Sequence, residues 1–411
     1  MVNVSLERLQ FEARRAAGWT TTALGFTIPI WVVADSILIV LLVICWFAGG
    51  AWKERLRRIT TNPVAVSVLL LFGWLLLGTL WGGGSAQERA LGIKKYADLL
   101  IIPVLISMAM TVQERNRALV ALAAALLLTL FLSFGLSVGG SLPLGEPTGC
   151  SQLNSCVFKK HTTHNVMMAF GALLFAVFSW KSHDRWMRWG WGGAAVLAVS
   201  NVFLMVQGRT GYVVLAGLAM LVFHVRFGWR GMLAALMVLC VVFSSVYQVS
   251  SSFRQRVDVT TAGITQWNPK VAVVEDSIGW RLEYAYHTAK IIQDHPLVGV
   301  GTGGYVQAYR TRTEQAGLDV PPHPHNQYLF IMAQVGIGGL GLLLWLFVQQ
   351  WRMTTLAGDT ATGLLARGVI VAIAVTCFFQ PALNDHTEKL FYCLFSGLMC
   401  SGNDLQGETK T

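Results

Sequence analysis

The chain has 411 residues, of which 54% are hydrophobic and only 13% are charged, and its formal net charge is +10. A soluble domain carries about 25% charged residues, so this composition excludes a water-soluble globular protein. The basic residues recur in short loops between apolar runs, so the positive charge reflects membrane topology and not nucleic-acid binding.

Apolar runs of about 20 residues, the length that crosses a bilayer as an α-helix, recur along the whole chain. The sequence therefore predicts an all-α polytopic membrane protein, with residues 1–411 forming a single transmembrane domain. About twelve spans are expected. They cover residues 20–34, 36–51, 63–82, 88–110, 117–137, 162–180, 188–207, 210–225, 230–249, 326–349, 363–383 and 388–402.

The loops between these spans fall into two alternating sets. One set is rich in Lys and Arg, which marks the cytoplasmic side, so we expect both termini in the cytoplasm. A charged start without a small-residue cleavage site argues against a cleaved signal peptide. The other set is external and includes one large insertion, residues 250–325, between spans nine and ten. The basic loop segments are residues 8–15, 53–58, 115–117, 181–188, 226–230 and 352–367.

The external insertion is predicted to contain amphipathic helices. Ser277 is a typical N-cap residue, apolar residues follow at helical spacing, and Pro296 with the next glycines ends the segment. Arg281 lies at the edge of the apolar stripe, where it needs an anion, a water route or a lipid phosphate. The stripe consists of Ile278, Leu282, Ala285, Ala289 and Ile292.

Two cysteines, Cys150 and Cys156, flank the segment "SQLNS" in an external loop rich in Gly and Pro. An oxidising compartment favours a disulfide between them. Closing so short a loop stabilises the fold by about 2 kcal/mol if the disulfide acts by lowering the chain entropy of the unfolded state.

Cationic side chains gather where the inward-running spans begin on the external side. A helix dipole disfavours a cation at its N-terminus by about 0.3–1 kcal/mol, and the positive-inside bias disfavours it on this side of the membrane. One strongly anionic ligand accounts for both exceptions, whereas lipid headgroups account for scattered lysines better than for an arginine in a glycine turn. The clusters are Arg89, Lys94 and Lys95; Lys159, Lys160, His161, His164 and Asn165; Arg209; His323, His325 and Asn326; and Asp385, His386, Glu388 and Lys389.

The segment "PPHPHN" at 321–326 precedes the tenth span. Its prolines restrict the backbone around His325, and histidine is the side chain best suited to accept a proton near neutral pH. A structural donor role for His325 is the simpler alternative, and Asn326 can cap the next helix. Several histidines and Asp385 could bind a metal, but no H-E-x-x-H or Asp-x-Asp pattern occurs, so we predict no metal and no cofactor.

Three segments carry a resemblance to a known family. They are "QGRTGY" at 207–212, "GWRLEYAYHTAKIIQDHPLVGVGTGGY" at 279–305 and "HPHNQYLFIMAQVGIGGLG" at 323–341. Together they resemble the O-antigen ligase family, within the wider O-antigen ligase and polymerase superfamily of lipopolysaccharide biosynthesis. The resemblance implies a glycosyltransferase of the bacterial inner membrane with a periplasmic active site. Such enzymes move a glycan from undecaprenyl diphosphate to a hydroxyl of the lipid A–core oligosaccharide, without a nucleotide sugar.

The resemblance maps the family's two loop-side arginines onto Arg209 and Arg281 and its histidine onto His325. The arginines are then expected to hold the donor diphosphate, and His325 is expected to activate the acceptor hydroxyl in an inverting, metal-independent transfer. Lys94 and Lys95 are included on charge and position only. The full set predicted to bind substrate is Lys95, Lys94, Asn326, Arg89, His164 and Asp385.

Three other functions remain open at this point. An O-antigen polymerase uses the same donor but extends another lipid-linked glycan, and a related ligase would load glycans onto protein. A transporter of anionic lipids is a different class, but transporters place their coupling charges near the middle of the membrane and are often built from inverted repeats. Here the charges gather at one face and no repeat is visible, which favours an enzyme over a transporter. The resemblance implies that the partners of this enzyme are membrane lipids, a lipid-linked donor and lipid A–core.

Overall fold

A computed structural model describes residues 2–139, 149–249, 251–268, 277–314, 319–356 and 361–401. The predicted all-α class is confirmed, since the regular secondary structure of these residues is helical throughout. The described helices are α1 (Val2–Thr27), α2 (Val32–Ala48), α3 (Trp52–Thr61), α4 (Pro63–Leu77), α5 (Ala86–Tyr96), α6 (Ile101–Met108), α7 (Val112–Ser137), α8 (His161–Lys181), α9 (Arg185–Ser200), α10 (Arg209–Val249), α11 (Ser251–Gln266), α12 (Ser277–Asp294), α13 (Tyr305–Thr313), α14 (Gln327–Leu356), α15 (Ala361–Thr376) and α16 (His386–Cys400).

Several of these helices are long and apolar enough to cross a membrane. Five pass on length and composition, and α2 with α3, bent by 115° at a short break, makes up to six in the described residues. The protein is therefore membrane-embedded, while the number of twelve spans stays a prediction. The five are Pro63–Leu80, Val112–Ser137, His161–Lys181, Arg209–Val249 and Gln327–Thr355.

Helix α10 carries two of the predicted spans on one 41-residue segment. Gly228 interrupts it with φ 65° and ψ −151°. A Cβ added to Gly231 would lie 2.1 Å from the Phe223 carbonyl oxygen, although residues eight apart are separated by about 12 Å in a straight helix. The chain therefore turns back sharply at Gly228, between the predicted spans 210–225 and 230–249.

The fourth predicted span, residues 88–110, is wrong as a continuous helix. The structure divides it into α5, a 3₁₀ turn at Ala97–Leu100, and α6. Pro103 in the first turn of α6 has no N–H to continue the hydrogen bonding, which explains the break before it. As a result Lys94 and Lys95 lie in the last turn of α5, where the helix dipole favours cations, and not at a helix start as expected.

The insertion predicted to be external, residues 250–325, contains α11, α12 and α13. Helix α12 begins at Ser277 and ends two residues before Pro296, close to its predicted bounds. Its buried face is shifted from the predicted stripe, because only Ile292 of that stripe is buried. Glu283 is also buried, and the side chains of Trp267 and His287 bind its two carboxylate oxygens at 3.0 and 2.8 Å. The buried residues of α12 are Gly279, Glu283, Thr288, Ile291 and Ile292.

Helices α8 and α16 form the centre of the core and are buried along almost their whole length. Helix α8 packs against α7, α9, α10 and α15, and α16 packs against α6, α14 and α15. Phe170 of α8 meets Phe391 of α16 edge-on, with ring centroids 4.8 Å apart. The first residues of both helices are thereby held side by side.

Helix α14 is broken at Val335 and Gly336, and the break is filled by the glycine-rich loop that follows α12. The N–H groups of Val300 and Gly301 donate to the Ala333 and Gln334 carbonyls at 2.9 and 2.7 Å, which satisfies groups that the break leaves open. The loop thus fixes the external insertion to the membrane-embedded helices.

Gly336→Ala is expected to destabilise the protein through this break. Gly336 has φ 67° and ψ −166°, a region that only glycine adopts readily, and an added Cβ would lie 2.0 Å from the Leu297 carbonyl oxygen. The backbone strain alone costs about 1–3 kcal/mol. The midpoint of thermal unfolding in detergent measures the loss.

Gly341→Ala is the matched control for that variant. Gly341 lies on the same helix, and an added Cβ there meets no atom of the described residues within 4 Å. This substitution should leave the midpoint unchanged or raise it, since alanine is the better helix former. Equal midpoints for the two variants would show that the break does not hold the loop.

Candidate active site

The predicted glycine turn places Arg209 at the first residue of α10. Asn165 of α8 enters this turn and donates from Nδ2 to the Val206 and Gly208 carbonyls at 3.2 and 3.0 Å. A Cβ on Gly208 or Gly211 would lie 2.5 or 2.6 Å from Asn165 atoms. Both glycines are therefore required by the close approach of α8, and the approach fixes the position of Arg209.

A second set of contacts fixes the residues just before Arg209. The structure joins Cys150 and Cys156 in a disulfide, which keeps the intervening residues in a small loop. From this loop Ser155 N–H donates to the Met205 carbonyl at 3.1 Å, and Asn154 Oδ1 accepts from Gln207 N–H at 2.8 Å. The disulfide loop thus fixes the segment of backbone that leads into α10.

Arg281 lies in the second turn of α12 and faces the start of α10. Burial, and then the positive charge of Arg209, lower the pKa of the Arg281 guanidinium. An arginine stays charged in spite of such a shift. Two cations from distant parts of the chain are therefore held close enough to repel each other, an arrangement that a bound anion would relieve.

The backbone at His325 is unusual. His325 has φ 53°, in the left-handed region that a residue other than glycine adopts at a cost of about 1–3 kcal/mol. Pro321 and Pro324 are buried on either side of His323, and His325 N–H donates to His323 Nδ1 at 3.4 Å. The surrounding residues therefore impose a strained conformation on one particular histidine, a pattern typical of functional sites.

The His325 imidazole is positioned by an aromatic neighbour. Tyr284, one turn after Arg281 on α12, stacks on it with ring centroids 6.0 Å apart and planes 17° from parallel. The same tyrosine packs edge-on against Tyr309 of α13. Helix α12 thus places Arg281 and the support of His325 on neighbouring turns.

Charges around His325 come from four separate parts of the chain. Burial lowers the pKa of His325 from 6.5 to about 4, and His323, Arg281 and Lys160 add to the effect, while Asp385 opposes it. Lys160 Nζ lies 3.6 Å from Asp385 Oδ2, which links the starts of α8 and α16. The imidazole is therefore neutral at pH 7 and available to accept a proton.

Lys95 reaches the same region from the end of α5. Burial, and then the charges of Lys95 and Lys160, lower the pKa of His323 to about 4. Lys389 of α16 fixes the chain at this point, because its Nζ donates to the Lys95 carbonyl at 2.7 Å and pairs with Asp98 at 2.7 Å. The Lys95 side chain itself is exposed.

The predicted site residues do not all come together. Seven residues share one region, which we call the cationic centre. They are Arg209, Arg281, His325, Lys95 and Asp385, together with Lys160 and His323. Exposed Lys94 is the sequence neighbour of Lys95 in α5. Asn326 lies beside His325 and caps α14, accepting from Leu329 N–H at 3.0 Å.

His164 and Arg89 take other positions. The ring of His164 is buried, with Nδ1 accepting from Val157 N–H at 3.1 Å and Nε2 therefore donating to Asn201 Oδ1 at 3.0 Å. Arg89 donates to the Gly82 carbonyl at 3.3 Å, beside the glycine-rich loop. Lys160 takes the place expected for His164, because α8 begins at His161 and His164 lies one turn inside.

Four helices begin at the cationic centre: α8 after Lys160, α10 at Arg209, α14 after Asn326 and α16 after Asp385. Each start directs the positive end of its helix dipole toward this region. Together with the basic side chains they favour a ligand with several negative oxygens, such as a diphosphate. Within the described ranges, no group of three or more His, Cys, Asp or Glu could hold a metal ion.

Residues 193–346 match the protein-family model described as O-antigen ligase. The matched segment contains Arg209, Arg281 and His325, whereas Lys95, Lys160 and Asp385 lie outside it. No curated protein matches the chain.

Proposed function

Because the chain is a member of the O-antigen ligase family, we propose that it transfers an O-antigen glycan from undecaprenyl diphosphate to a hydroxyl of lipid A–core oligosaccharide. One observation carries the proposal. Arg209, Arg281 and His325 come from three separate segments, yet Arg209 acts electrostatically on Arg281, and Arg281 acts on His325. A diphosphate site and a neutral base thus lie side by side.

The donor diphosphate would bind between Arg209 and Arg281, with Lys95 and Lys160 at its edge. Each charge-assisted hydrogen bond contributes about 1.5–3 kcal/mol net. When the bond between the anomeric carbon and the diphosphate oxygen breaks, negative charge grows on the leaving oxygen. Fixed cations and helix starts stabilise that charge more than they stabilise the intact donor, which is the condition for catalysis.

His325 would take the proton of the acceptor hydroxyl as its oxygen attacks the anomeric carbon. Attack from the face opposite the diphosphate inverts the configuration at that carbon. The electron pair of the broken bond leaves with undecaprenyl diphosphate, and the proton held on His325 returns to solvent. Asn326 and Asp385 would keep the histidine and Lys160 in place. The cations replace the metal ion that many phosphate-transfer sites use.

The proposed orientation follows the distribution of basic loops. The cationic centre would face the periplasm of a bacterial inner membrane, and both termini would lie in the cytoplasm. Donor and acceptor are both lipids, so both would enter from the membrane. A site at the ends of the helices lies at the depth where their head groups are found.

The pH dependence of transfer is expected to report His325. Neutral imidazole is the active form, so kcat/KM for the donor should stay constant from pH 8 to about pH 5 and fall at lower pH, where His325 gains a proton. In the free protein its pKa is about 4. A bound diphosphate offsets the charge of Arg281 and so raises this pKa. Because kcat reports the protein with donor bound, its acid limb should lie at a higher pH than the acid limb of kcat/KM for the donor. An acid limb of kcat/KM above pH 7 would contradict the role of His325.

Purified full-length protein, labelled lipid-linked glycan and lipid A–core test the function directly. Label on lipid A–core is the expected result, and it should persist in excess chelator. Label only in longer lipid-linked chains would identify a polymerase. Movement of labelled donor across a vesicle membrane, with no glycosidic bond formed, would identify a transporter.

A further inference from the structure

A groove separate from the cationic centre runs across the outer surface of the insertion. We propose that it binds the sugar chain of the lipid-linked donor, beyond the sugar that reacts, an inference that rests on the proposed transfer function. The groove has a volume of about 660 Å³, within the range of about 300–1,000 Å³ typical of ligand sites. Its side chains include Trp81, Asp294, His295, Gln307, Thr311 and Arg312.

One wall of the groove is the open face of α13. Gln307 and Thr311 lie four residues apart and so share one side of the helix, and both are exposed. Tyr305 and Tyr309 lie on the opposite side and are buried. The polar side of this short helix is thus directed into the groove, while its aromatic side packs on the protein.

The floor of the groove is backbone held in place by hydrogen bonds. Gly299, Val300 and Gly304 form most of it. Val300 accepts from Gly83 N–H at 3.4 Å and donates to the broken region of α14 at 2.9 Å. A floor fixed in this way loses little entropy when a ligand binds.

The side chains fit a chain of neutral sugars. The Trp81 indole donates to the Val298 carbonyl at 3.1 Å and is 37% exposed, so its ring is oriented before any ligand arrives. Sugar rings offer C–H faces to such a ring and hydroxyls to Gln307 and Thr311. Arg312 is paired with Asp294, so the groove lacks the concentrated positive charge that an anionic ligand requires.

A small cavity lies next to both the groove and the cationic centre. It has a volume of about 150 Å³, and Lys95, Pro322 and Asn384 line the part next to His323 and Asp385. Gly303 lines this cavity and the next residue, Gly304, lines the groove, so the two lie on neighbouring peptide units. In this proposal, a glycan attached to a diphosphate beside Lys95 passes over this backbone to reach the groove.

The length of α12 indicates which substrate uses this route. Arg281 and Asp294 are thirteen residues apart on that helix, which corresponds to about 20 Å. Only a chain of several sugars can occupy the cationic centre and the groove together. The donor glycan begins at the diphosphate, so its outer sugars are the parts that reach the groove.

The experiment compares donors that carry one glycan repeat with donors that carry many. We expect Thr311→Trp, which fills the groove from an exposed position, to lower the ratio of kcat/KM for long over short donors at least tenfold. Gln307→Ala should lower the same ratio about threefold, as the loss of one hydrogen bond implies. The matched control is Gln293→Ala, an exposed glutamine of α12 outside the groove, which should leave the ratio unchanged.

Three results would overturn the proposal. The first is an unchanged ratio in Thr311→Trp with full activity, the second is an unchanged ratio because both donors lose activity equally, and the third is a rise in KM for the acceptor alone, which would place the acceptor sugars in the groove. If the unaltered protein transfers neither donor, the transfer function fails. The groove is then tested by calorimetry with free long glycan, for which Thr311→Trp must bind at least tenfold more weakly.

Discussion

Arg281→Ala is expected to lower glycan transfer by about 10²–10³-fold, the loss seen when one fixed donor to a developing oxyanion is removed. Arg281 is the residue that links the two parts of the site, since it lies near Arg209 and near His325. Its removal takes away a charge-assisted bond in the ground state and a larger stabilisation of the leaving diphosphate. Initial rates with labelled donor, together with donor affinity, separate the two losses.

A shift in the pH profile gives Arg281→Ala a second readout. The charge of Arg281 is one of the causes that lower the pKa of His325. Without that charge the pKa rises, so the acid limb of the remaining activity should move to higher pH. A protein that is merely unfolded would lose activity without such a shift.

Arg254→Ala is the matched control. Arg254 is an exposed arginine of α11, and its guanidinium contacts the Tyr247 and Gln248 carbonyls. The two variants remove the same charge from the external insertion, yet only Arg281→Ala should affect transfer. Activity within threefold of the unaltered protein in Arg281→Ala would remove this residue from the diphosphate site.

The starts of the four helices at the cationic centre were predictable to within about two residues, whereas the starts expected at 36, 117 and 188 differ by three to five residues from those of α2, α7 and α9. Spans were expected to begin at 162, 210, 326 and 388, and the corresponding helices begin at His161, Arg209, Gln327 and His386. Gly208, Asn326 and Asn384 mark three of these boundaries, because Gly and Asn act on local backbone conformation. Local signals of this kind can be read without knowledge of the fold.

Long-range packing was not predictable. The break before α6 is an exception, because Pro103 is a local sign of it; the expected continuous span 88–110 did not take this proline into account, and Lys95 therefore lies near a helix end and not at a helix start. His164 and Lys160 are both basic residues near the start of the same span, so the sequence does not separate their roles. The contact between His164 and Asn201 shows that His164 lies inside the helix bundle. The left-handed backbone of His325 likewise depends on neighbours that are distant in the chain.

His325→Ala is expected to lower transfer by about 10²–10⁴-fold, the usual contribution of a general base, while donor affinity stays within about twofold. His183→Ala, at an exposed position between α8 and α9, controls for the loss of an imidazole elsewhere. A tenfold loss of donor affinity in His325→Ala would instead make this residue a phosphate ligand.

Comparison with His325→Gly separates the chemistry of the histidine from its backbone. Both variants lack the imidazole, so both should be inactive, but glycine adopts a φ of 53° without strain. His325→Gly should therefore be more stable than His325→Ala by about 1 kcal/mol, measured from the midpoints of thermal unfolding. Such a difference would mean that the fold keeps a strained histidine where glycine is the more stable residue, which is expected when the imidazole is retained for chemistry. Equal stability would show that the backbone relaxes at this position, and the strain would then be no argument for function.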